Sequence, residues 1–217
     1  MSRDITKLHP FARMLAEELV RRCAKKGLII KVTDCVRTKE EQDDCIKRGT
    51  SSCSYLYTYH AWGLAFDFCR NDGKGAYNEA DNFFYRVGEI GQELGLEWGG
   101  IWKKVDKPHF QFDGFTNNEN EATIMVKKYG NPSKFFKNAD FKWTQPIVDI
   151  TPKSSFKKIL WLQVRLNIYG FKTDMDGIWG KQTIKNVKAF WLAKTGKNCT
   201  GERVSPKCIK LLAAVPK

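Results

Sequence analysis

The sequence lacks several features that would place it in a common class at once. No apolar run approaches the ~18 residues of a membrane span. Residues 1–5 contain an acid and lead into a polar helix, so we expect neither membrane insertion nor a signal peptide. The seven cysteines form no CxxC pair, which argues against a zinc ribbon or a disulfide framework and favours reduced core thiols. With 42% apolar and 13% aromatic residues, the chain has enough core formers to exclude global disorder.

The positive charge of the chain is concentrated near its C-terminus. The formal net charge is +13; residues 151–217 carry 14 Lys and Arg side chains against three acidic ones, whereas residues 1–150 carry 23 against 21. This asymmetry predicts a module drawn to a polyanion, and charge alone leaves open whether that is nucleic acid, an anionic membrane or an anionic cell wall. The sequence has no helix-turn-helix spacing, finger ligands or RNA-binding aromatic motif, so we expect no nucleic-acid partner.

Hydrophobic periodicity divides the chain into two domains. The predicted elements of the first are helices at 10–26, 39–47 and 79–94 and strands at 28–33, 63–68 and 108–112. Residues 1–130 are therefore predicted to form an α+β domain with a small antiparallel-rich sheet. Residues 131–154 carry three prolines and little periodicity, which indicates a linker, and residues 155–217 are predicted to form a small all-α domain of three helices. We expect a monomer, because nothing in the sequence suggests an obligate dimer.

Two of the three histidines fall beside predicted strands, whereas His9 starts a helix and is interpreted as a capping or surface residue. His60 precedes the strand that carries Asp67, and His109 lies on the polar face of another strand. Two imidazoles and one carboxylate can occupy three corners of a tetrahedral zinc site and leave the fourth for water. Spacing alone leaves open that these side chains only form hydrogen bonds.

Further residues are candidates for a catalytic cleft. Asp106 stands three residues before His109, close enough to accept a proton from an attacking water and pass it to a leaving amine. Arg37 follows the first predicted strand and could bind a substrate carboxylate or a developing oxyanion. Three tryptophans are predicted to wall the cleft: Trp62, Trp98 and Trp102.

Two segments resemble the signatures of the D-alanyl-D-alanine carboxypeptidase-like zinc peptidases. Residues 58–67 (TYHAWGLAFD) are similar to the pattern Ser-x-His-x-x-Gly-x-Ala-x-Asp, with Thr58 in place of the usual Ser. Residues 97–100 (EWGG) and 106–111 (DKPHFQ) resemble the second signature, although Ile101 stands where Asp is frequent. Separated motifs in the right order are hard to obtain by chance. The resemblance therefore implies that the predicted α+β domain has the fold of a zinc peptidase.

A third stretch, Arg37 with Gln42, resembles the Arg-Ser/Thr-x-x-x-Gln pattern of the same family, and the similarity spans residues 8–115. The pattern looks closest to the L-alanyl-D-glutamate peptidases that phages use as endolysins. The resemblance implies a Zn²⁺ cofactor and the following roles: His60, Asp67 and His109 as metal ligands; Asp106 as general base; Arg37 as a substrate or transition-state contact; Gln42, Thr58, Trp98 and Trp102 as substrate-binding residues.

The C-terminal domain resembles the three-helix peptidoglycan-binding domain. Leu162-Gln163, residues 176–180 (DGIWG) and Thr183 reproduce most of its pattern. Asp176 and Trp179 are the predicted wall-binding residues, since an indole offers a flat face to a sugar or peptide. It stays open whether Trp179 instead fills the small core.

Together the resemblances imply a zinc-dependent peptidoglycan endopeptidase of the endolysin type. Its substrate would be the stem peptide, cut at the L-Ala–D-Glu bond, and its partners peptidoglycan and the anionic polymers of the wall. Lacking a signal peptide, it would wait in the host cytoplasm and act on the wall after release. Two alternatives stay open: a D-Ala-D-Ala carboxypeptidase, which shares the zinc machinery, and a non-catalytic wall-binding protein.

Overall fold

The computed structural model describes residues 2–112, 120–137 and 146–214, and the chain divides into two compact units, Met1–Trp143 and Thr144–Lys217. The helices of the first unit are α1 (Pro10–Lys25), α2 (Lys39–Lys47), α3 (Phe83–Glu93), α4 (Glu121–Tyr129) and α5 (Pro132–Lys137). Its strands are β1 (Ile30–Asp34), β2 (Ala65–Arg70), β3 (Glu97–Trp98) and β4 (His109–Gln111). The second unit contains α6 (Phe156–Ile168), α7 (Lys181–Thr195) and α8 (Pro206–Ala213). None of the described helices combines the length and apolar character that a membrane crossing requires.

The four strands form one antiparallel sheet in the order β1-β2-β4-β3. Its register places Asp67 opposite His109 and Glu97 opposite Gln111. Because successive side chains alternate between the two faces of a strand, these four polar residues lie on the same face. The prediction of an α+β unit with an antiparallel sheet is confirmed.

The other face of the sheet is aromatic and packs closely against α3. Phe110 and Trp98 are cross-strand partners on this face. A Cβ atom at Gly91 would lie 2.2 Å from the Phe110 ring, and one at Gly88 would lie 2.4 Å from the Trp98 ring. The two glycines therefore let both rings pack directly on the helix backbone, where any larger residue would overlap them.

A capping interaction fixes the start of α2, the helix that follows β1. The Thr38 hydroxyl accepts a hydrogen bond from the Glu41 N–H, and the Glu41 carboxylate accepts one from the Thr38 N–H, which is a complete capping box for α2. The chain therefore turns sharply between the end of β1 and the start of α2. Arg37, the residue before the cap, is held on this turn next to the polar face of the sheet.

The predicted linker at 131–154 is too long at both ends. Its first residues form α5, whose Phe135 is 1% exposed and packs against Trp62 with ring centroids 5.8 Å apart. Near its other end, Ile150 is buried and pairs with Val204 through two backbone hydrogen bonds. Residues 138–145 lie outside the described part of the chain. In the sequence the prolines indicate a linker, but Pro132 is the first residue of α5. At the first position of a helix, no backbone hydrogen bond is lost with the missing N–H.

The second unit has a buried glutamine at its centre. Gln163 Nε2 donates to Asp176 Oδ1 at 2.7 Å, and Gln163 Oε1 accepts from the Gly177 N–H at 2.8 Å. Gly177 has a φ of +66°, and a Cβ there would lie 2.2 Å from the Phe156 ring, so this turn requires glycine. The Leu-Gln and Asp-Gly motifs thus join α6 to the turn that precedes α7.

Candidate metal centre

Three ligand-type side chains meet on the polar face of the sheet. Asp67 and His109 are cross-strand partners on β2 and β4, and His60 lies on the 3-10 turn Tyr59–Trp62 that leads into β2. Gly63 ends this turn with a φ of +64°, and a Cβ there would lie 3.1 Å from a backbone nitrogen of the N-terminal segment. The turn therefore depends on glycine, and it brings His60 back beside Asp67.

Each of the three side chains brings one ligand atom to a common point. His60 Nε2 lies 3.3 Å from His109 Nδ1 and 3.4 Å from Asp67 Oδ1, and His109 Nδ1 lies 3.0 Å from the same oxygen. A tetrahedral metal with bonds of about 2.0–2.1 Å holds its ligands about 3.3 Å apart. The spacing therefore fits a single metal ion, and the three residues form a group that could hold one.

Hydrogen bonds behind each imidazole decide which nitrogen faces that point. His60 Nδ1 lies 2.8 Å from the backbone carbonyl oxygen of Cys35, which only accepts, so this nitrogen carries the proton. His109 Nε2 lies 3.1 Å from Gln111 Oε1 on the same strand face. With both outer nitrogens donating, the two inner nitrogens and the Asp67 oxygen present lone pairs to one another, an arrangement that a metal ion satisfies.

Asp67 supplies the negative charge of the centre. Burial opposes its ionisation, but the facing imidazoles of His60 and His109 hold the pKa of its carboxyl well below its usual range. Burial alone would lower the pKa of His109, and the hydrogen bond and charge of Asp67 raise it. Asp67 is therefore ionised in the folded protein and available as an anionic ligand.

Arg37 holds the outer oxygen of Asp67. Its Nη2 donates to Asp67 Oδ2 at 3.0 Å, and its Nε donates to Asp34 Oδ2 at 2.5 Å. Asp34 stands opposite Asp67 in the register of β1 and β2, so the guanidinium bridges two carboxylates. The structure thus places Arg37 at the candidate centre, bound to Asp67; its role as a substrate contact stays a prediction.

Gln42 is 0% exposed and forms a hydrogen bond with the guanidinium of Arg37. Its Oε1 accepts from Arg37 Nη1 at 3.2 Å, and its Nε2 donates to Ser51 Oγ at 2.8 Å and to the Cys53 carbonyl at 2.7 Å. All of these partners belong to the protein. The amide is enclosed and anchors the arginine to the 49–58 loop, and a contact between Gln42 and substrate stays a prediction.

Asp106 lies on the loop that leads into β4. Its N–H donates to the Gly99 carbonyl at 2.9 Å, and its own carbonyl accepts from the His109 N–H at 3.1 Å. The residue is exposed, yet desolvation of its carboxyl and then the charge of Asp67 raise its pKa, against the opposing effect of His109. The Asp106 carboxyl is therefore within electrostatic range of Asp67 and His109, and its role as general base stays a prediction.

Two of the predicted cleft tryptophans belong to the core instead. Trp62 is 0% exposed, and its indole N–H donates to the Leu56 carbonyl at 2.9 Å. Trp98 is 2% exposed and donates to the Lys107 carbonyl at 2.8 Å. Alternation along β3 turns Trp98 to the aromatic face of the sheet, away from the polar face, and a substrate contact for Trp98 stays a prediction. Thr58 is also buried, whereas Trp102 is half-buried with its ring centroid 5.1 Å from that of His109.

The sequence predictions gave no role to three polar residues at the centre. Asp34 binds Arg37, and its other oxygen is buried without a hydrogen-bond partner in the described ranges. Gln111 and Glu97 form a chain of hydrogen bonds behind His109. The alternation that singles out His109 applies equally to Gln111, two residues later. Glu97 begins the EWGG segment that resembles the family signature, but its pairing with Gln111 is recognisable only from the register of β3 with β4.

In the second unit, the two predicted wall-binding residues have different surroundings. Asp176 Oδ1 accepts from Gln163 Nε2 and from the Ile178 N–H at 2.8 Å, so this oxygen is used within the turn. Trp179 is half-buried, and its indole nitrogen is buried with no hydrogen-bond partner among the described residues. Asp176 therefore stabilises the turn, and a wall-binding role for either residue stays a prediction.

Residues 52–112 match the family model described as D-alanyl-D-alanine carboxypeptidase. The matched segment contains His60, Asp67, Asp106 and His109, that is, all three residues that converge on the common point and the acid beside them. The class of protein that this fold and this centre define is a metallopeptidase.

The chain is similar to two curated proteins and to one solved structure. The chain is 34% identical over 122 residues to the peptidoglycan L-alanyl-D-glutamate endopeptidase CwlK of Bacillus subtilis (strain 168), covering 48% of this chain and 72% of that protein. It is 32% identical over 117 residues to an L-alanyl-D-glutamate peptidase of Listeria phage A118, covering 51% of this chain and 40% of that protein. The crystal structure of the Serratia marcescens L-Ala D-Glu endopeptidase ChiX aligns with a TM-score of 0.42 and 23% identity, covering 50% of this chain and 82% of that one.

The chain belongs to the D-alanyl-D-alanine carboxypeptidase-like family of peptidases, because it matches the family model and is 34% identical to CwlK over 72% of that protein.

Proposed function

We propose that the protein is a zinc-dependent peptidoglycan endopeptidase that hydrolyses the L-Ala–D-Glu bond of the stem peptide. The observation that carries the proposal is the convergence of His60 Nε2, Asp67 Oδ1 and His109 Nδ1, within 3.4 Å of one another, in a chain whose relatives are named for that activity. Two imidazoles and one carboxylate are a donor set typical of catalytic zinc.

Five polar residues of the centre have a chemical task in this proposal. Zinc, when bound, lowers the pKa of a water molecule towards ~7 and polarises the substrate carbonyl. His60, Asp67 and His109 hold the metal, and Arg37 keeps Asp67 oriented and charge-balanced. Asp106, whose pKa is raised by desolvation, accepts a proton from the attacking water and donates it to the leaving amine.

Digestion of purified Gram-positive peptidoglycan tests the proposed activity. We expect new N-terminal D-Glu or D-isoglutamine by mass spectrometry, lost with a chelator and restored by added zinc. Release of free D-Ala alone would make the protein a carboxypeptidase. A zinc-loaded protein that yields no new termini from any wall type would be a binding protein, and the proposal would fail.

For the second unit, we propose that it binds the wall and holds the enzyme on its insoluble substrate. Support comes from its charge, with 14 basic against three acidic residues over positions 151–217, and from its similarity to the peptidoglycan-binding domain. The exposed lysines Lys181, Lys185 and Lys188 lie at helical spacing along α7 and border a groove with Ile184 and Leu192. We call these three lysines the α7 basic face. Anionic wall polymers are its proposed partner.

Neutralising the α7 basic face should weaken wall binding without changing the chemistry. Each lysine beside an anionic surface contributes about 1 kcal/mol, so replacing all three with Gln should weaken binding to walls by up to about 150-fold. The loss should shrink as salt rises, since salt screens exposed charges. Co-sedimentation with walls measures the binding, and hydrolysis of a soluble muropeptide should not change.

The matched control neutralises three exposed lysines of the first unit, Lys25, Lys26 and Lys31, in the same way. This variant removes the same net charge and should bind walls as the unmodified protein does. Equal losses in the two triple variants would mean that net charge, and not the α7 basic face, governs binding.

A further inference from the structure

Behind His109, four side chains form a closed circuit. His109 Nε2 lies 3.1 Å from Gln111 Oε1, Gln111 Nε2 donates to Glu97 Oε2 at 2.7 Å, and Trp102 Nε1 donates to Glu97 Oε1 at 2.6 Å. The Trp102 ring then returns to the His109 ring, with centroids 5.1 Å apart. His109 and Gln111 are each 8% exposed, and Glu97 and Trp102 are half-buried.

The chemistry of the donors and acceptors leaves one arrangement of protons in this circuit. The indole of Trp102 only donates, and it donates to one oxygen of the Glu97 carboxylate, whose oxygens accept. Gln111 must therefore turn its NH₂ group to Glu97 and its carbonyl oxygen to His109. Because that oxygen only accepts, His109 Nε2 must carry a proton. In a neutral imidazole, the lone pair is then on Nδ1, the nitrogen that faces Asp67 and His60.

We propose that Gln111, Glu97 and Trp102 are positioning residues that fix His109 in its Nε2–H tautomer and so direct Nδ1 to the metal. The inference rests on the metal centre of the proposed function. None of the three residues touches the metal position; they act through His109. Outer partners of this kind typically change metal affinity by about 10- to 100-fold.

The two histidines differ in how their tautomers are held. His60 donates to a backbone carbonyl, that of Cys35, which no side-chain substitution removes. His109 depends on side chains alone for the same purpose. Substitutions at Gln111 and Glu97 should therefore change the metal affinity of the centre. Trp102, which is half-buried, links this hydrogen-bond network to the surface beside the site.

Replacing Gln111 with Leu removes the acceptor while keeping a side chain of similar size. We expect the Zn²⁺ dissociation constant of the full-length protein, measured by competition with a chromophoric chelator, to rise about 10- to 100-fold. The visible spectrum of the Co²⁺-loaded protein should change as well, since the imidazole is no longer held in place. The matched control is Gln92→Leu, an exposed position on α3, which should alter neither readout.

A swapped pair separates positioning from general packing. In the double variant Glu97→Gln with Gln111→Glu, the introduced carboxylate accepts from His109 and from the introduced amide, whose oxygen accepts from Trp102. Every donor again has an acceptor, so we expect Zn²⁺ affinity equal to or tighter than that of the unmodified protein. The single variant Gln111→Glu places two carboxylates against each other and should bind Zn²⁺ more weakly than the double variant. A double variant that binds no better than this single variant would overturn the proposal.

Nitrogen-15 NMR of the histidine rings tests the tautomer in the unmodified, Zn²⁺-loaded protein, where no variant has to fold. We expect a proton on His109 Nε2 and on His60 Nδ1. A proton on His109 Nδ1, or unchanged Zn²⁺ affinity in Gln111→Leu, would overturn the positioning role while leaving the endopeptidase intact. Failure of the unmodified protein to bind Zn²⁺ at all would refute the metal centre and this inference together.

Discussion

Replacing Asp106 with alanine should leave the metal centre able to bind Zn²⁺ and lower turnover by about 10²- to 10⁴-fold, the usual contribution of a general acid–base group. The carboxyl is not among the three groups that converge on the metal position. It is nevertheless within electrostatic range of His109 and Asp67, and desolvation raises its pKa above the usual range of an aspartate. Metal content and the rate of hydrolysis of a soluble muropeptide measure the two parts of this prediction.

The backbone around Asp106 makes this variant interpretable. The loop is held by hydrogen bonds of the Asp106 N–H and carbonyl with Gly99 and His109, and neither bond uses the side chain. The alanine variant should therefore keep the position of β4. Asp44→Ala, at an exposed site on α2, is the matched control and should retain full activity. If the Asp106 variant is equally active, another group is the base.

The part of the centre that follows strand alternation could be predicted from the sequence. Period-two patterning in β2 and β4 turns Asp67 and His109 away from their phenylalanine neighbours, and the antiparallel register then places them opposite each other. His60 precedes β2 by only a few residues, so a tight glycine turn is enough to bring it back. Strand alternation and the glycine turn are local features that the sequence contains, whereas the pairing of Asp67 with His109 also needs the register of β2 with β4.

The residues around the ligands depend on three-dimensional packing, which the sequence patterns do not contain. The sequence predicts that Trp98 lines the cleft. In the structure its ring packs in the core, because Gly88 on α3 has no side chain in the space that the ring fills. Gln42 lies in a family-like motif, but its amide is enclosed between Arg37 and the 49–58 loop. Motif similarity identifies that such residues matter, and only the contacts decide whether they serve the substrate or the scaffold.

Replacing His109 with alanine should abolish Zn²⁺ binding and, with it, peptide hydrolysis. The substitution removes one of the three proposed protein ligands, and the loss should exceed the roughly 10- to 100-fold change expected for an outer partner such as Gln111. Metal analysis after equilibrium dialysis measures the binding directly. Thermal unfolding provides a second readout, because a ligand present at 1,000 times its dissociation constant stabilises the folded state by about 4 kcal/mol. Adding a chelator should therefore lower the Tm of the unmodified protein and leave that of His109→Ala unchanged.

The third histidine of the chain provides the control that separates metal loss from damage to the fold. His9 is buried, and its Nδ1 accepts the Phe11 N–H at the start of α1. It takes no part in the converging group. His9→Asn keeps a capping acceptor, so this variant should retain Zn²⁺, activity and the chelator-dependent fall in Tm, even if its Tm is lower throughout. A His109→Ala protein that still binds Zn²⁺ as tightly as the His9 variant would remove His109 from the centre. Because Asp67 and Gln111 were placed by the same strand register, their assigned roles would then fall as well.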